Sequence, residues 1–163
     1  MKHIVYASAL SLLAAPAFAE SHAAGDAAAG EEAFNRQCVA CHVIVDDAGE
    51  TIAGRNARTG PNLYGVVGRQ AGTVEDFRYG DDIVKAGEDG LVWGAESLVA
   101  YLQDPTGYLR EVLDDRRARG KMAYRVRAEE DAVDLYAYLA TFSDMDSMME
   151  EGEATEGEGE QTN

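Results

Sequence analysis

Cys38-Val39-Ala40-Cys41-His42 is the stretch whose chemistry decides what this chain can become. Two cysteines separated by two residues, with a histidine directly after the second, form the pattern that attaches a c-type haem. Each thiolate can add across one vinyl group of a porphyrin. On a helical turn the two sulfurs face the same way, and His42 then lies against the porphyrin face with a ring nitrogen for the iron. Three other readings of these residues stand beside that one. A thiol–disulfide exchange site shares the Cys-x-x-Cys spacing but normally sits beside a βαβ pattern, which this sequence lacks. A zinc site needs about four ligands, and the only other histidines are His3 and His22, near the N-terminus. A disulfide between the two cysteines closes a very small, strained loop.

Outward from the motif, the 163 residues suit one domain. The start is expected to lie outside it. Met1-Lys2-His3 is a short basic head, Ile4 to Ala15 an apolar run, and Ala17-Phe18-Ala19 a small-x-small cleavage site. Residues 1–19 therefore read as a secretory signal peptide cleaved near Ala19, and the apolar run is too short to span a bilayer. The expected location is the periplasm, and bacteria attach c-type haem outside the cytoplasm. Residues 20–143 form the expected domain and 144–163 a tail with eight acidic residues and no basic ones. So much charge with so little apolar surface predicts a tail that does not fold.

Both cysteines of the chain lie in the motif, so none is left for a disulfide framework. Lys plus Arg number 14 against 30 Asp plus Glu, which excludes the basic footprint of a nucleic-acid binder.

Asp26 can cap a helix running through Gly30 and Phe34 up to Cys41. Phe34 shares a face with Cys38, and Gly30 leaves that face bare for another helix to cross; the other reading is a glycine merely tolerated near a helix start. Val43 to Arg58 reads as loop, with a turn at Asp46-Asp47-Ala48-Gly49. Thr59-Gly60-Pro61-Asn62-Leu63 reads as an ordered loop. The Pro61 carbonyl is a candidate acceptor for the second N–H of His42, since metal-bound histidines usually donate that proton. Asp81 to Ala86 can form a short helix closed by Gly87. Ala95 to Gln103 carries Leu98, Tyr101 and Leu102 on one face, stopped by Pro105. Glu129 to Phe142 has Leu135, Tyr138, Leu139 and Phe142 at helical spacing. That stripe is expected to cross the first helix at Gly30 and Phe34.

Taken together these stretches resemble the class I c-type cytochromes, in their larger bacterial soluble form with loop insertions. The resemblance rests on Gly30-x-x-x-Phe34, Cys38-x-x-Cys41-His42, Thr59-Gly60-Pro61-Asn62-Leu63 and Gly68-Arg69. Trp93, Tyr101-Leu102-x-x-Pro105, Lys121-Met122 and Leu135-x-x-Tyr138-Leu139 continue it. It covers residues 26 to 142. It implies an all-α fold in which N- and C-terminal helices cross and long ordered loops surround one covalently bound haem c. It further implies that His42 and Met122 ligate the iron, that Pro61 accepts from His42, and that Arg69, Tyr79 and Trp93 surround the propionates. On their own residues these three donors read as a surface arginine and two core aromatics. Met122 on its own reads as core, and the other mature methionines, Met145, Met148 and Met149, fall in the tail.

Two axial protein ligands leave the iron only one electron to gain or lose. The expected function is therefore electron transport in a respiratory chain, by a monomeric carrier that is not an enzyme. The competing class is a haem enzyme or sensor with a labile sixth ligand. The resemblance implies a quinol–cytochrome c reductase as donor, and a terminal oxidase, periplasmic reductase or photosynthetic reaction centre as acceptor. From Tyr108 to Arg127 seven basic residues face three acidic ones, in what reads as the insertion. Arg116, Arg117, Arg119, Lys121 and Arg125 are expected to dock an acidic partner; the other reading is a solvated basic loop. Whether residues 108–121 fold over the haem or bulge outward stays open at this point.

Overall fold

Helix α1, Ala27–Gln37, begins where the Asp26 carboxylate accepts from the amides of Ala28 at 2.8 Å and Ala29 at 3.3 Å. The computed structural model describes residues 25–143; the expected signal peptide and acidic tail lie outside them. No β-branched residue interrupts α1, and Phe34 is its most buried side chain. The helix ends four residues earlier than expected. The amides of Cys41 and His42 both donate to the Cys38 carbonyl, at 3.0 and 2.9 Å. The Cys41 carbonyl accepts from Gly60 N–H at 2.8 Å. A tight turn therefore carries the second cysteine and the histidine.

The stretch after it, expected to be loop, contains a small antiparallel hairpin, β1 (Ile44–Val45) and β2 (Thr51–Ala53). The turn signal makes it possible: the Asp46 carboxylate accepts from Glu50 N–H at 2.7 Å, and Gly49 takes φ +83°. Asn62 fastens the following loop to this hairpin, donating to the Val45 carbonyl at 2.7 Å and accepting from its N–H at 3.0 Å.

Helix α2, Asp81–Glu88, runs through Gly87 and not up to it. Gly87 serves a contact: a side chain there would run into the Ala71 carbonyl. The stop comes at Gly90, with φ +102°, where Leu91 N–H reaches back to the Ala86 carbonyl at 2.9 Å. Helix α3 spans Ala95–Gln103, as its periodicity predicts. Asp104 then breaks the chain and caps α4, Pro105–Val112, with proline in the first turn. Helix α5, Glu129–Ala140, ends two residues before Phe142. That ring still packs edge-on against Tyr138, centroids 5.0 Å apart.

The α1–α5 crossing forms as the glycine predicts. A Cβ on Gly30 would collide with the Asp134 carbonyl and sit 2.7 Å from the Tyr138 Cβ. Beside it the Asp134 carboxylate accepts from Asp26 N–H at 2.7 Å, and Phe34 packs on Tyr138 at 5.7 Å between centroids. The insertion neither covers the interior nor hangs free. Its first half is α4, whose Leu109 is fully buried. Its second half is held by Arg110 Nε to the Ala118 carbonyl at 3.0 Å and by Arg119 N–H to the Asp82 carboxylate at 2.8 Å. Among the described residues no helix is long and apolar enough to cross a membrane.

Candidate haem site

The crossing helices, α3 and the long loops enclose a cavity of about 460 Å³, within the size range of cofactor pockets. Its walls include Phe34, Leu98, Tyr101, Leu102, Leu135 and Leu139. All eight residues singled out in the sequence line it as well: Cys38, Cys41, His42, Pro61, Arg69, Tyr79, Trp93 and Met122.

His42 is the most constrained of them. Its Nδ1 lies 2.9 Å from the Pro61 carbonyl. A carbonyl can only accept, so Nδ1 carries the proton and Nε2 keeps the free lone pair. Burial lowers the imidazole's pKa below its ordinary value, opposed in part by the bond to Pro61. The neutral, metal-binding form is thereby favoured. Nothing local in the sequence marks Gly60 as a packing residue, yet it supplies the flat surface on which the ring rests. A Cβ there would lie 2.5 Å from Nδ1 and 2.6 Å from Nε2.

Cys38 is half-buried and Cys41 exposed, and no disulfide joins them. Burial, with Cys41 nearby, pushes the Cys38 thiol up to about 12. Disulfide exchange needs the opposite, a thiol whose pKa is depressed. A neutral thioether suits this half-buried sulfur. Among the described residues no three His, Cys, Asp or Glu side chains converge on a metal position, so the zinc reading finds no support there.

No family model matches the chain. It is 65% identical over 117 residues to cytochrome c2 of Rhodovulum adriaticum, covering 72% of this chain and 92% of that relative. Cytochrome c-551 of Roseobacter denitrificans is 57% identical over 135 residues, covering 83% of this chain and 91% of its own. Among solved structures, cytochrome c2 from Rhodobacter sphaeroides superposes with a TM-score of 0.71 at 55% identity, over 73% of this chain and 97% of that one. The chain belongs to the class I c-type cytochromes.

Like the family, this cytochrome binds one haem c through two cysteines, and it is a soluble carrier that shuttles electrons between redox partners. A haem enzyme or sensor is not favoured. The residues fit the group: an apolar cavity, two sulfurs, one imidazole lone pair and one thioether share the same walls.

The polar end of the cytochrome's cavity is built from chain segments far apart. Gly68 N–H donates to the Trp93 carbonyl at 2.8 Å, and Trp93 N–H to the Arg69 carbonyl at 3.0 Å, which sets Arg69 beside Trp93. The Arg69 guanidinium donates to the carbonyls of Tyr64 at 2.8 Å and Asn62 at 3.2 Å, so it also braces the loop that carries Pro61. Its remaining N–H groups are available to the cavity. Burial raises the Tyr79 phenol, and the Arg69 charge close by works against that rise. Trp93 is 6% exposed and packs on Tyr101 with centroids 4.9 Å apart.

Proposed function

We propose that His42 and Met122 are the two axial ligands of the haem iron, with the porphyrin joined to Cys38 and Cys41. The observation that carries this reading is the 2.9 Å pairing of His42 Nδ1 with the Pro61 carbonyl, which leaves Nε2 as the ring's free donor atom. Met122 lines the same cavity as a half-buried thioether. When bound, the haem supplies one-electron chemistry between ferrous and ferric iron. His42 and Met122 would hold the iron, the apolar walls exclude water, and no position would be left for a substrate. That makes the protein a carrier and not an enzyme. The sulfur of Met122 favours ferrous iron and raises the potential. Arg69, Tyr79 and Trp93 hold the propionates, whose charges would be costly among apolar walls without such donors.

The setting is the periplasm, reached by export and cleavage near Ala19. Electrons arrive from a quinol–cytochrome c reductase and leave to a terminal oxidase, a periplasmic reductase or a photosynthetic reaction centre. Docking uses Arg116, Arg117, Arg119, Lys121 and Arg125, of which Lys121 lines the cavity. Arg117 pairs with Asp115 at 3.5 Å and Arg125 with Asp104 at 2.8 Å, whereas Arg116 and Arg119 have no ion-pair partner among the described residues. Those two are the charges most open to an acidic partner.

The test is an absorption spectrum with a redox titration of the native protein and of Met122→Ala. The native protein should show a methionine–iron bond, a positive midpoint potential and no carbon monoxide binding at neutral pH. The variant should lose the bond, drop in potential and bind the gas. An unchanged spectrum and potential in Met122→Ala would remove the ligand assignment.

A further inference from the structure

Met122 sits between two ties that the haem motif does not require. One residue before it, Lys121 Nζ donates to the carbonyls of Arg78 at 2.9 Å and Tyr79 at 2.7 Å. The lysine stem lies over Gly80, where an added Cβ would meet its Cγ at 3.3 Å. Two residues after Met122, the Tyr124 hydroxyl donates to Gln37 Oε1 at 3.0 Å. Gln37 is itself fixed, because its Nε2 donates to the Asp131 carboxylate of α5 at 2.7 Å. Tyr79 and Gln37 belong to different segments of the cavity wall. The stretch from Gly120 to Ala128 contains no helix or strand, so it lacks a hydrogen-bond ladder of its own. Such segments open locally unless side chains hold them.

We propose that Lys121 and Tyr124 are positioning residues, a two-sided clasp that holds the Met122 segment closed over the cavity and keeps outside ligands from displacing its sulfur. The inference rests on the reading of Met122 as an axial ligand. It assigns Lys121 a task beyond docking: two carbonyls of another loop hold its side chain in place. Tyr124 is 48% exposed, and its hydroxyl links the ligand segment to the α1–α5 crossing.

The test titrates the oxidised holo-protein with imidazole, followed through the absorption of the methionine–iron bond. Lys121→Met should raise the apparent imidazole affinity about tenfold, and Tyr124→Phe, which loses one neutral hydrogen bond, about threefold. Lys121→Arg keeps a donor for the two carbonyls and should stay within about twofold of the native protein. Arg127→Met removes the same charge from the same segment without touching either tie, and should leave the affinity unchanged. If Lys121→Met and Arg127→Met behave alike while the native protein shows its methionine–iron absorption, the clasp is wrong and the ligand assignment stands. If the native protein lacks that absorption and binds imidazole as tightly as Met122→Ala, the ligand assignment fails and the clasp fails with it.

Discussion

The imidazole of His42 lies flat against the α-carbon of Gly60, so close that an added Cβ would stand 2.5 Å from Nδ1 and 2.6 Å from Nε2. The same loop supplies the Pro61 carbonyl that orients the ring. Gly60 is thus a shape requirement of the haem site. Gly60→Ala should displace the ring, at a cost of about 2–3 kcal/mol. Its holo-protein should be recovered in lower yield, with an altered spectrum. Gly49→Ala serves as a comparison, since its Cβ would meet nothing within 4 Å although φ is +83°. That change should cost about 1–2 kcal/mol in stability and leave the spectrum untouched.

Gly30→Ala tests the helix crossing. Alanine is the better helix former by about 1 kcal/mol, so α1 alone would gain. The Asp134 carbonyl and the Tyr138 Cβ stand in the way, and both belong to α5. Backbone cannot rotate aside as a side chain can. A net loss of about 2–3 kcal/mol is expected in urea unfolding of the holo-protein. A neutral or stabilising result would show that the two helices separate easily.

Stability above pH 10 should report Tyr101. Burial pushes its phenol up to about 12 from an ordinary 10.0, and Tyr79 nearby adds to the rise. The folded state therefore holds the proton that the unfolded chain releases above pH 10. The contribution is fully present below that pH and declines, by about 1.4 kcal/mol per pH unit, as pH climbs toward 12. Tyr101→Phe should flatten this slope relative to the native protein. Urea midpoints on either side of pH 10 measure it; identical slopes in both proteins would contradict the assignment.

Docking is tested by Arg116→Glu with Arg119→Glu, the two arginines without ion-pair partners among the described residues. Lys121 is left native so that the clasp is not disturbed. Electron transfer to an acidic partner should slow about tenfold or more at low salt, and the difference should shrink as salt screens it. Equal rates at low salt would place the docking surface elsewhere.

Much of this protein could be read from its sequence because the informative signals are local. The Cys38-to-His42 motif names the cofactor through spacing alone. The apolar stripe of α3 predicts its bounds, and bare Gly30 beside Phe34 predicts where α5 crosses. Local signals failed where a distant segment captured a backbone group. The first helix stops at Gln37, the amides of Cys41 and His42 turn back to the Cys38 carbonyl, and distant Gly60 takes the Cys41 carbonyl. Gly87 reads as a helix stop, whereas its lack of a side chain admits the Ala71 carbonyl.

What the residues determine by themselves is the tethering chemistry, two sulfurs and an adjacent imidazole at the spacing of a haem attachment motif, while Met122, Arg69, Tyr79 and Trp93 take the roles proposed for them only through the resemblance. Which partner each atom meets was settled only by the fold. Nothing along the chain tells that Lys121 is bound by Arg78 and Tyr79, or that His42 rests on Gly60. Side-chain type is a local property, whereas contact between residues tens of positions apart exists only once α1 and α5 have crossed and drawn the loops around one cavity.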